Sequence, residues 1–308
     1  MKANYSAPGK INIYFKVGSL LADGYHDVAS VYQAVDLRET VLVEAAEAWQ
    51  VAVEGNISDV HISEVPTDET NLVVKAAKAL APVAQLANPH PVNFVITKNV
   101  PVAGGMCGGS ADAAAALLAV NDLWCTGVPA KKLLQTSAAL GADVPFAILG
   151  GTAIGLGRGD QLKPIDDVHK LHWVLVACEG GLSTPAVYKR LDELRAARGE
   201  NPSAMSPVSE PLDLIDALVG GDIEQIALLM HNDLQEAAID LMPSLQQTID
   251  AGVAAGALVG MVSGSGPTVA FLARSQQSAA EIAADLILAG HSALPTWGPS
   301  AGAKAESN

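Results

Sequence analysis

A glycine-rich stretch at residues 101–112 reads Pro-Val-Ala-Gly-Gly-Met-Cys-Gly-Gly-Ser-Ala-Asp. A backbone without Cβ atoms can adopt positive φ and approach a ligand closely, and its successive amides can point inward to bind an anion. The alanine-rich helix predicted after the stretch adds free amides and the positive end of a dipole. The stretch therefore predicts a di- or triphosphate site, although a flexible turn capped by Ser110 would have the same local sequence.

Three further stretches contain residues that could act together with this loop. Lys10 begins an apolar strand after a glycine, where its ammonium could enter a cleft. Asp143 lies in Gly-Ala-Asp-Val-Pro-Phe at residues 141–146, a fixed turn from which a carboxylate could accept a proton from a hydroxyl. A second glycine turn at residues 263–267 could close over the same site. Taken singly, Lys10 could also be a surface lysine, Asp143 a turn-forming aspartate, and residues 263–267 a plain hairpin turn.

Alternating strands and amphipathic helices must position these residues. Ile11, Ile13 and Phe15 share one face of a strand that would carry Lys10. A strand over 92–96 leads into the glycine loop, and a helix over 110–124 leaves it. We expect an α/β (α+β) chain of two domains, residues 1–155 and 156–308, with the small, polar residues 301–308 disordered.

Composition limits the possible partners. The chain has 308 residues, half of them apolar, and a formal net charge of −15, which argues against nucleic acid. Three cysteines without a C-x-x-C pair favour a reducing compartment. The uncharged residues 251–273 are interrupted by glycines and a proline, which predicts helix, strand, turn and strand and not a membrane span. We therefore predict a cytoplasmic protein without membrane partners.

Three motifs in this order resemble the GHMP kinase superfamily: Pro-Gly-Lys-Ile-Asn at 8–12, the glycine loop, and Ser-Gly-Ser-Gly-Pro-Thr at 263–268. Asp-Gly-Tyr-His at 23–26 and Gly-Ala-Asp-Val-Pro-Phe at 141–146 resemble the members that act on a cytidine diphosphate sugar alcohol. The resemblance spans roughly residues 6–272. It implies a two-domain GHMP kinase fold with the active site in the inter-domain cleft.

The resemblance also implies roles for individual residues. Lys10 and Asp143 would be the catalytic pair. Asn12, Tyr25, His26, Thr184 and Tyr188 would bind the small-molecule substrate, with Tyr25 and His26 at the cytosine. ATP and Mg²⁺ would be the cofactors. The residues that would contact ATP are Asn71, Lys98, Pro101, Val102, Ala103, Gly104, Gly105, Met106, Cys107, Gly108, Gly109, Ser110 and Ala111.

Two positions in the loop depart from the superfamily pattern. Cys107 stands where glycine, alanine or serine is usual, and its place at a helix start suggests a reactive thiol of lowered pKa. Gly109 stands where several members have a metal-contacting serine, so no metal ligand is named. A homoserine or mevalonate type of kinase, or a non-catalytic nucleotide-binding sensor, remains the alternative.

Overall fold

The computed structural model describes residues 1–55, 62–101 and 105–307, and these form two sheets with helices packed on them. The main helices are α1 (Leu72–Val83), α2 (Gly108–Leu123), α3 (Ala130–Ser137), α4 (Val144–Leu149), α5 (Thr184–Ala197), α6 (Leu212–Gly220), α7 (Ile223–Leu229), α8 (Gln235–Leu241), α9 (Ser244–Ala254) and α10 (Gln276–Leu288). The strands are β1 (Lys2–Leu20), β2 (His26–Ala45), β3 (Gln50–Gly55), β4 (Val92–Lys98), β5 (Thr152–Gly157), β6 (Gln161–Ile165), β7 (Leu171–Ala177), β8 (His231–Asn232), β9 (Val259–Val262), β10 (Thr268–Ala273), β11 (Ala293–Gly298) and β12 (Lys304–Ala305).

The first sheet is organised around the long antiparallel pair of β1 and β2. On its other edge β2 pairs with β5 along its first half and with β4 along its second half. β3 lies parallel to β4, and the connection between them contains α1. β6, β8 and β12 complete this sheet, so it collects strands from all parts of the chain.

The second sheet is smaller and has the order β11-β7-β10-β9, with every pairing antiparallel. β9 and β10 are joined by the second glycine turn. Residues 251–273 thus contain the end of α9, β9, the turn and β10, as predicted. Among the described residues, none of the helices combines the length and the apolar character needed to cross a bilayer.

Three large apolar clusters hold these layers together, and β1 contributes to each. Ala7 belongs to the cluster between the first sheet and α1 and α2. Ile11 and Ile13 belong to the cluster that joins the two sheets, together with the buried Trp173 of β7. Phe15 belongs to the core of the second sheet and its helices. One strand therefore ties both halves of the molecule to a common frame.

Helix α2 explains the run of alanines after the glycine loop. Its residues Ala113, Ala114, Ala115 and Ala116 are fully buried, so the helix is enclosed on most sides. The buried surface of this helix is therefore wider than one apolar stripe. Small side chains are needed because α2 packs against β1, β2, α1 and α4 together.

The boundary predicted at residue 155 falls within a strand. Residue 155 lies inside β5, and β6 extends the first sheet to Ile165. The division between the two sheets therefore falls after Ile165, and the chain returns to the first sheet at β8 and β12. The glycines of residues 150–159 are evident in the sequence, but the sequence does not show which sheet the strand in this stretch joins.

The C-terminal residues 301–307 are ordered, so the prediction of a disordered tail is wrong. β12 pairs with β1, and the Ala303 amide donates to the Ala147 carbonyl of α4 at 2.9 Å. The Arg38 guanidinium donates to the carbonyls of Ala301 (2.7 Å) and Gly302 (2.8 Å) and to the Ser6 hydroxyl (2.7 Å). Backbone pairing and one arginine hold this segment, and Ala303 adds an apolar contact with the core beneath the first sheet.

We expect Arg38→Met to lower the free energy of unfolding by about 2–4 kcal/mol, because it leaves several part-buried acceptors without a donor. Urea unfolding followed by circular dichroism measures the change. Arg274→Met is the matched control, since Arg274 forms an exposed pair with Glu224 and such pairs contribute about 0–1 kcal/mol. Equal losses in the two variants would contradict the role of Arg38.

Candidate active site

The glycine loop ends in an uncapped helix start. α2 begins at Gly108, two residues earlier than predicted, and Cys107 at its N-cap position makes no side-chain cap. Cys107 has φ +60° and Gly105 has φ +72°, so the chain passes through left-handed conformations just before the helix. Ser110 lies in the first turn and does not cap it. The first-turn amides are thus available to an anion. Val102, Ala103 and Gly104 lie outside the described residues.

The two glycine turns lie against each other. A Cβ atom on Gly105 would approach the Gly266 carbonyl oxygen to 3.0 Å and the Ser263 carbonyl oxygen to 3.3 Å. Glycine is therefore required at 105 both by its φ and by this backbone contact. The Lys10 amide also donates to the Met106 carbonyl at 3.1 Å, so β1 and both turns meet at one point.

Lys10 and Asn12 lie on the same face of β1 and are buried at this meeting point. Lys10 Nζ donates to Asn12 Oδ1 at 2.7 Å, and Asn12 Nδ2 donates to the Ser30 hydroxyl at 2.7 Å. The backbone N–H of Asn12 donates to the Ser263 hydroxyl at 3.0 Å. Asn12 thus connects the lysine to the second glycine turn and fixes its position.

Asp143 immediately precedes α4 and faces Cys107. The Cys107 thiol donates to Asp143 Oδ2, with 2.7 Å between sulfur and oxygen. Burial alone would lower the pKa of Lys10, but the adjacent Cys107 sulfur and Asp143 carboxylate outweigh burial and raise it. Lys10 is therefore a permanent cation at neutral pH.

The reactive thiol expected at position 107 is not supported. Burial, followed by the negative charge of Asp143, raises the pKa of Cys107 well above its usual range. The free amides of the helix start do not offset these two effects. Cys107 therefore stays a protonated hydrogen-bond donor to Asp143 and is a weak nucleophile.

A cavity of about 230 Å³ brings the predicted residues from both halves together. Its lining comprises Lys10, Asn12, Phe15, Tyr32, Gly105, Cys107, Ala142, Asp143, Arg158, Thr184, Tyr188, Leu234, Gly264 and Ser265. The Thr184 hydroxyl is 2.8 Å from the Ser265 hydroxyl, which joins the start of α5 to the second glycine turn. We call this space the inner cavity.

A second cavity of about 530 Å³ adjoins the first and shares Arg158, Thr184 and Tyr188 with it. The turn before β2 contributes Tyr25, and the start of β2 contributes His26. We call this space the outer cavity. The predicted substrate residues are therefore divided between two cavities that share part of their lining.

Aromatic and charged contacts arrange the outer cavity. The His26 ring stacks on the Tyr188 ring with centroids 4.9 Å apart, and His26 Nε2 lies 3.0 Å from Asp192 Oδ1. Tyr25 is 57% exposed, and the Arg158 guanidinium lies 4.4 Å from the centre of its ring. Arg158 also pairs with Asp23. The open ring of Tyr25 is free to meet a planar ligand.

Two residues assigned to the nucleotide are already engaged within the protein. Asn71 caps α1: its Oδ1 accepts from the Val73 amide at 3.0 Å and its Nδ2 donates to the Pro66 carbonyl at 2.6 Å. Lys98 is 2% exposed and pairs with Glu39 and Asp112 beneath the loop. Both lie next to the nucleotide loop or its flanking helix, but neither side chain lines the two cavities.

Sequence reasoning missed Arg158 and Tyr32. Arg158 supplies a cation at the junction of the two cavities, and Tyr32 lies beneath the Lys10 ammonium, 5.4 Å from the ring centre. A signal for Arg158 existed, because it is the one charged residue within the glycine-rich residues 150–159. Tyr32 stood in an ordinary apolar strand and gave no such signal.

The side chains around the inner cavity limit how a metal ion could be bound there. Within the described residues, no cluster of three or more His, Cys, Asp or Glu side chains could hold a cation. Of the residues that the structure describes, Asp143 is the one carboxylate that lines the inner cavity. Mg²⁺ characteristically keeps waters and binds one or two carboxylates together with substrate phosphates. The site therefore fits an ion that a nucleotide brings with it.

Two family models match the chain in the same order as these elements. The GHMP kinases N terminal domain matches residues 71–151, and the GHMP kinases C terminal domain matches residues 214–291. The chain therefore belongs to the GHMP kinase family, and it has the two-domain fold of that family.

Individual relatives have more specific names than the family models. A 4-diphosphocytidyl-2-C-methyl-D-erythritol kinase of Nocardia farcinica is 49% identical over 97% of this chain and 94% of its own length. A kinase of the same name from Paenarthrobacter aurescens is 48% identical over the same shares. A crystal structure of 4-(cytidine 5'-diphospho)-2C-methyl-D-erythritol kinase superposes with a TM-score of 0.75 at 27% identity, covering 97% of this chain and 100% of that one.

We expect a thiol reagent such as 5,5'-dithiobis(2-nitrobenzoate) to label Cys107 at least about ten-fold more slowly than the exposed Cys125, because few Cys107 thiolates exist near neutral pH. Stopped-flow absorbance resolves the phases, and Cys125→Ser should remove the fast one. Asp143→Asn should speed the labelling of Cys107, since it removes one cause of the raised pKa. A fast phase that survives in Cys125→Ser would contradict the hydrogen bond between the Cys107 thiol and the Asp143 carboxylate.

Proposed function

We propose that this protein transfers the γ-phosphoryl group of ATP to the 2-hydroxyl of 4-diphosphocytidyl-2-C-methyl-D-erythritol. One observation carries the proposal: Lys10 and Asp143 line an inner cavity beside the glycine loop, and that cavity shares lining residues with a second one that contains Tyr25 and His26. A phosphate donor and a cytidine-bearing acceptor could then meet between them. The names of the relatives at 48–49% identity support the same reaction.

Asp143 would remove the proton from the acceptor hydroxyl. Its Oδ2 is occupied by the Cys107 thiol, so Oδ1 is the oxygen left to face the substrate. A positioned carboxylate of this kind contributes about 10²- to 10⁴-fold to a rate. Cys107 would hold the base in the orientation that this step needs.

Lys10 would stabilise the charge that develops during transfer. Its ammonium is fixed by Asn12 and by the ring of Tyr32, so it requires little reorganisation when the phosphoryl group moves. The uncapped amides at the start of α2 would bind the phosphates of ATP. Catalysis would therefore consist of positioning and charge stabilisation, as in other phosphoryl transfers.

The outer cavity suits the cytidine end of the acceptor. Cytosine would stack on the face of Tyr25 that Arg158 does not cover, and His26, held by Asp192 through Nε2, would offer its other nitrogen to the base edge. Arg158 at the junction would pair with the diphosphate. Asn12, Thr184 and Tyr188 would contact the part of the substrate that lies between the two spaces.

Other activities of the same fold have less support. Homoserine kinase from Cytophaga hutchinsonii superposes with a TM-score of 0.72 but is 19% identical, which indicates a shared fold alone. Substrates without a nucleobase would leave Tyr25, Arg158 and most of the outer cavity unused. A nucleotide-binding sensor would not need Lys10 and Asp143 in one cavity.

The magnesium ion and the cellular location are parts of the same proposal. Mg²⁺ would arrive bound to the phosphates of ATP and neutralise part of their charge, and Asp143 is the protein carboxylate within the inner cavity. The three cysteines are free thiols, which supports a reducing compartment such as the cytoplasm.

Purified protein should release ADP from ATP and Mg²⁺ when 4-diphosphocytidyl-2-C-methyl-D-erythritol is added, and not with homoserine or mevalonate. Asp143→Asn should lower kcat by about 10²- to 10⁴-fold, because the hydroxyl loses its base, while calorimetry should find ATP binding unchanged. Asp166→Asn, at an exposed carboxylate, is the control and should keep full activity. Normal turnover of Asp143→Asn would exclude it as the base.

Tyr25→Ala should raise KM for the cytidine substrate by about ten- to a hundred-fold, since base stacking contributes about 1–3 kcal/mol. KM for ATP should not change, because Tyr25 lies in the outer cavity only. Steady-state kinetics with each substrate varied separately measures both constants. Tyr25→Phe keeps the ring and should resemble the wild type. A similar loss in both variants would argue that the hydroxyl, and not stacking, matters.

A further inference from the structure

A buried asparagine lies behind the second glycine turn and holds it in place. Asn232, at the end of β8, is 8% exposed and lines neither the inner nor the outer cavity. Its Nδ2 donates to the Val262 carbonyl at 2.7 Å and to the Gly264 carbonyl at 2.8 Å. Because these carbonyls lie on either side of Ser263, one side chain fixes two planar peptide groups of the turn.

Asn232 is itself held against β1. β8 runs parallel to β1 with Asn232 opposite Phe15, and the Asp233 backbone N–H donates to the Phe15 carbonyl at 2.9 Å. Asn232 Oδ1 accepts from the Leu234 backbone N–H at 2.9 Å. The oxygen and both hydrogens of the side-chain amide are therefore engaged, so neither aspartate nor leucine, which are close to it in size, could make the same three bonds.

The turn that Asn232 holds contacts the residue that fixes Lys10. The Ser263 hydroxyl accepts from the backbone N–H of Asn12 at 3.0 Å. Gly264 has φ +59°, and a Cβ atom on it would lie 3.0 Å from Asn12 Oδ1, which is the oxygen that accepts from Lys10 Nζ. The turn therefore supports Asn12 both at its backbone and at the oxygen that fixes the lysine.

The hydrogen bonds within the turn set its shape but do not attach it to β1. The Ser263 backbone N–H donates to the Thr268 carbonyl at 2.9 Å, and the Gly266 backbone N–H donates to the Ser263 carbonyl at 3.0 Å. Asn232 adds a connection of a different kind, because it belongs to the first sheet while β9 and β10 belong to the second. It thus joins the two sheets where the turn forms a wall of the inner cavity.

We infer that Asn232 is a positioning residue for phosphoryl transfer: it clamps the second glycine turn to the first sheet and thereby sets the position of Asn12 and of the Lys10 ammonium. The inference rests on the proposed function, which gives Lys10 a role in the transfer. Asn232 would touch neither substrate, since it lines neither cavity. The outer cavity, where the cytidine end would bind, contains no residue of β8 or of the turn, so Asn232 acts on the transfer step and not on cytidine binding.

The test is the steady-state kinetics of Asn232→Leu with 4-diphosphocytidyl-2-C-methyl-D-erythritol and ATP. Leucine is neutral and close to asparagine in size, but it cannot hold the turn. We expect kcat to fall by about 10- to 100-fold, because a displacement of roughly 1 Å at a reacting group is enough for such a loss. KM for the cytidine substrate should stay near the wild-type value. A folded variant with wild-type kcat, or one in which only KM changes, would overturn the inference.

Asn121→Leu is the matched control. Asn121 lies near the end of α2 that is remote from the glycine loop, and its side chain also holds a turn, since its Oδ1 accepts from the Val128 backbone N–H at 3.0 Å. Losing this bond should destabilise the fold without moving Lys10, so the control should keep wild-type kcat. A comparable fall of kcat in both variants would indicate a general effect of lost stability and overturn the inference. Thermal unfolding shows whether each variant is folded at the assay temperature.

Hydrogen exchange measures the clamp without any activity assay. The Asn12 backbone N–H donates to the Ser263 hydroxyl, so its exchange rate reports the contact between the turn and β1. Asn232→Leu should speed exchange at Asn12 and across residues 263–268, whereas Asn121→Leu should leave both unchanged. Unchanged exchange at Asn12 in folded Asn232→Leu would overturn the inference. A wild-type protein that releases no ADP with the cytidine substrate would instead reject the proposed function, and the exchange experiment would still decide on the clamp.

Ser263→Ala tests the same connection from its other end if Asn232→Leu does not fold. The substitution removes the hydroxyl that accepts from Asn12 and leaves the two bonds from Asn232 Nδ2 in place. It should lower kcat with little change in KM for the cytidine substrate, as expected for Asn232→Leu. Wild-type kcat in Ser263→Ala would mean that the turn does not position Asn12, and the inference would be wrong.

Discussion

The antiparallel pairing of β1 with β2 is the interaction on which the rest of the molecule depends. β1 contributes to all three large apolar clusters, and it carries Lys10 and Asn12 where those clusters meet. β2 presents Tyr32 toward the inner cavity and Glu39 toward the base of the glycine loop. Because both strands are paired over nearly their whole length, the candidate catalytic residues and Glu39 share one rigid frame. The glycine loop and the turn at residues 263–267 complete the site by hydrogen-bonding to β1.

Local backbone chemistry explains which parts of the site could be predicted from sequence. The glycine loop, the turn before α4 and the turn at residues 263–267 each depend on positive φ, a proline or close backbone contact, and these requirements are written into short motifs. Gly105 illustrates the point, since both its φ and its contact with the Gly266 carbonyl require glycine. The fold class followed from the same motifs through the family resemblance, and the family match confirms it.

The features that could not be predicted depend on pairs of residues far apart in the chain. The tail residues 301–307 are polar and lack periodicity, yet they are held by Arg38 and by pairing with β1. No local signal places Glu39 beside Lys98, so the buried ion pair between them could not be foreseen. The pKa of Cys107 was expected to fall because the helix start was visible in the sequence, whereas its burial and the Asp143 carboxylate were not. In each case the deciding partner lies on another element.

Electrostatics links these points. Under the proposed function, a chain of net charge −15 would bind an acceptor and a donor that are both anionic. Lys10 and Arg158 are the basic side chains of the inner cavity, and Asp143 is its one carboxylate, so the local charge is opposite in sign to that of the whole chain. The proposed triphosphate site would rely on backbone amides, whose partial charges are weak and are opposed by any negative charge behind them. Since the carboxylates of Glu39 and Asp112 do lie behind the amides at the start of α2, the Lys98 ammonium that pairs with both of them offsets part of their negative charge there.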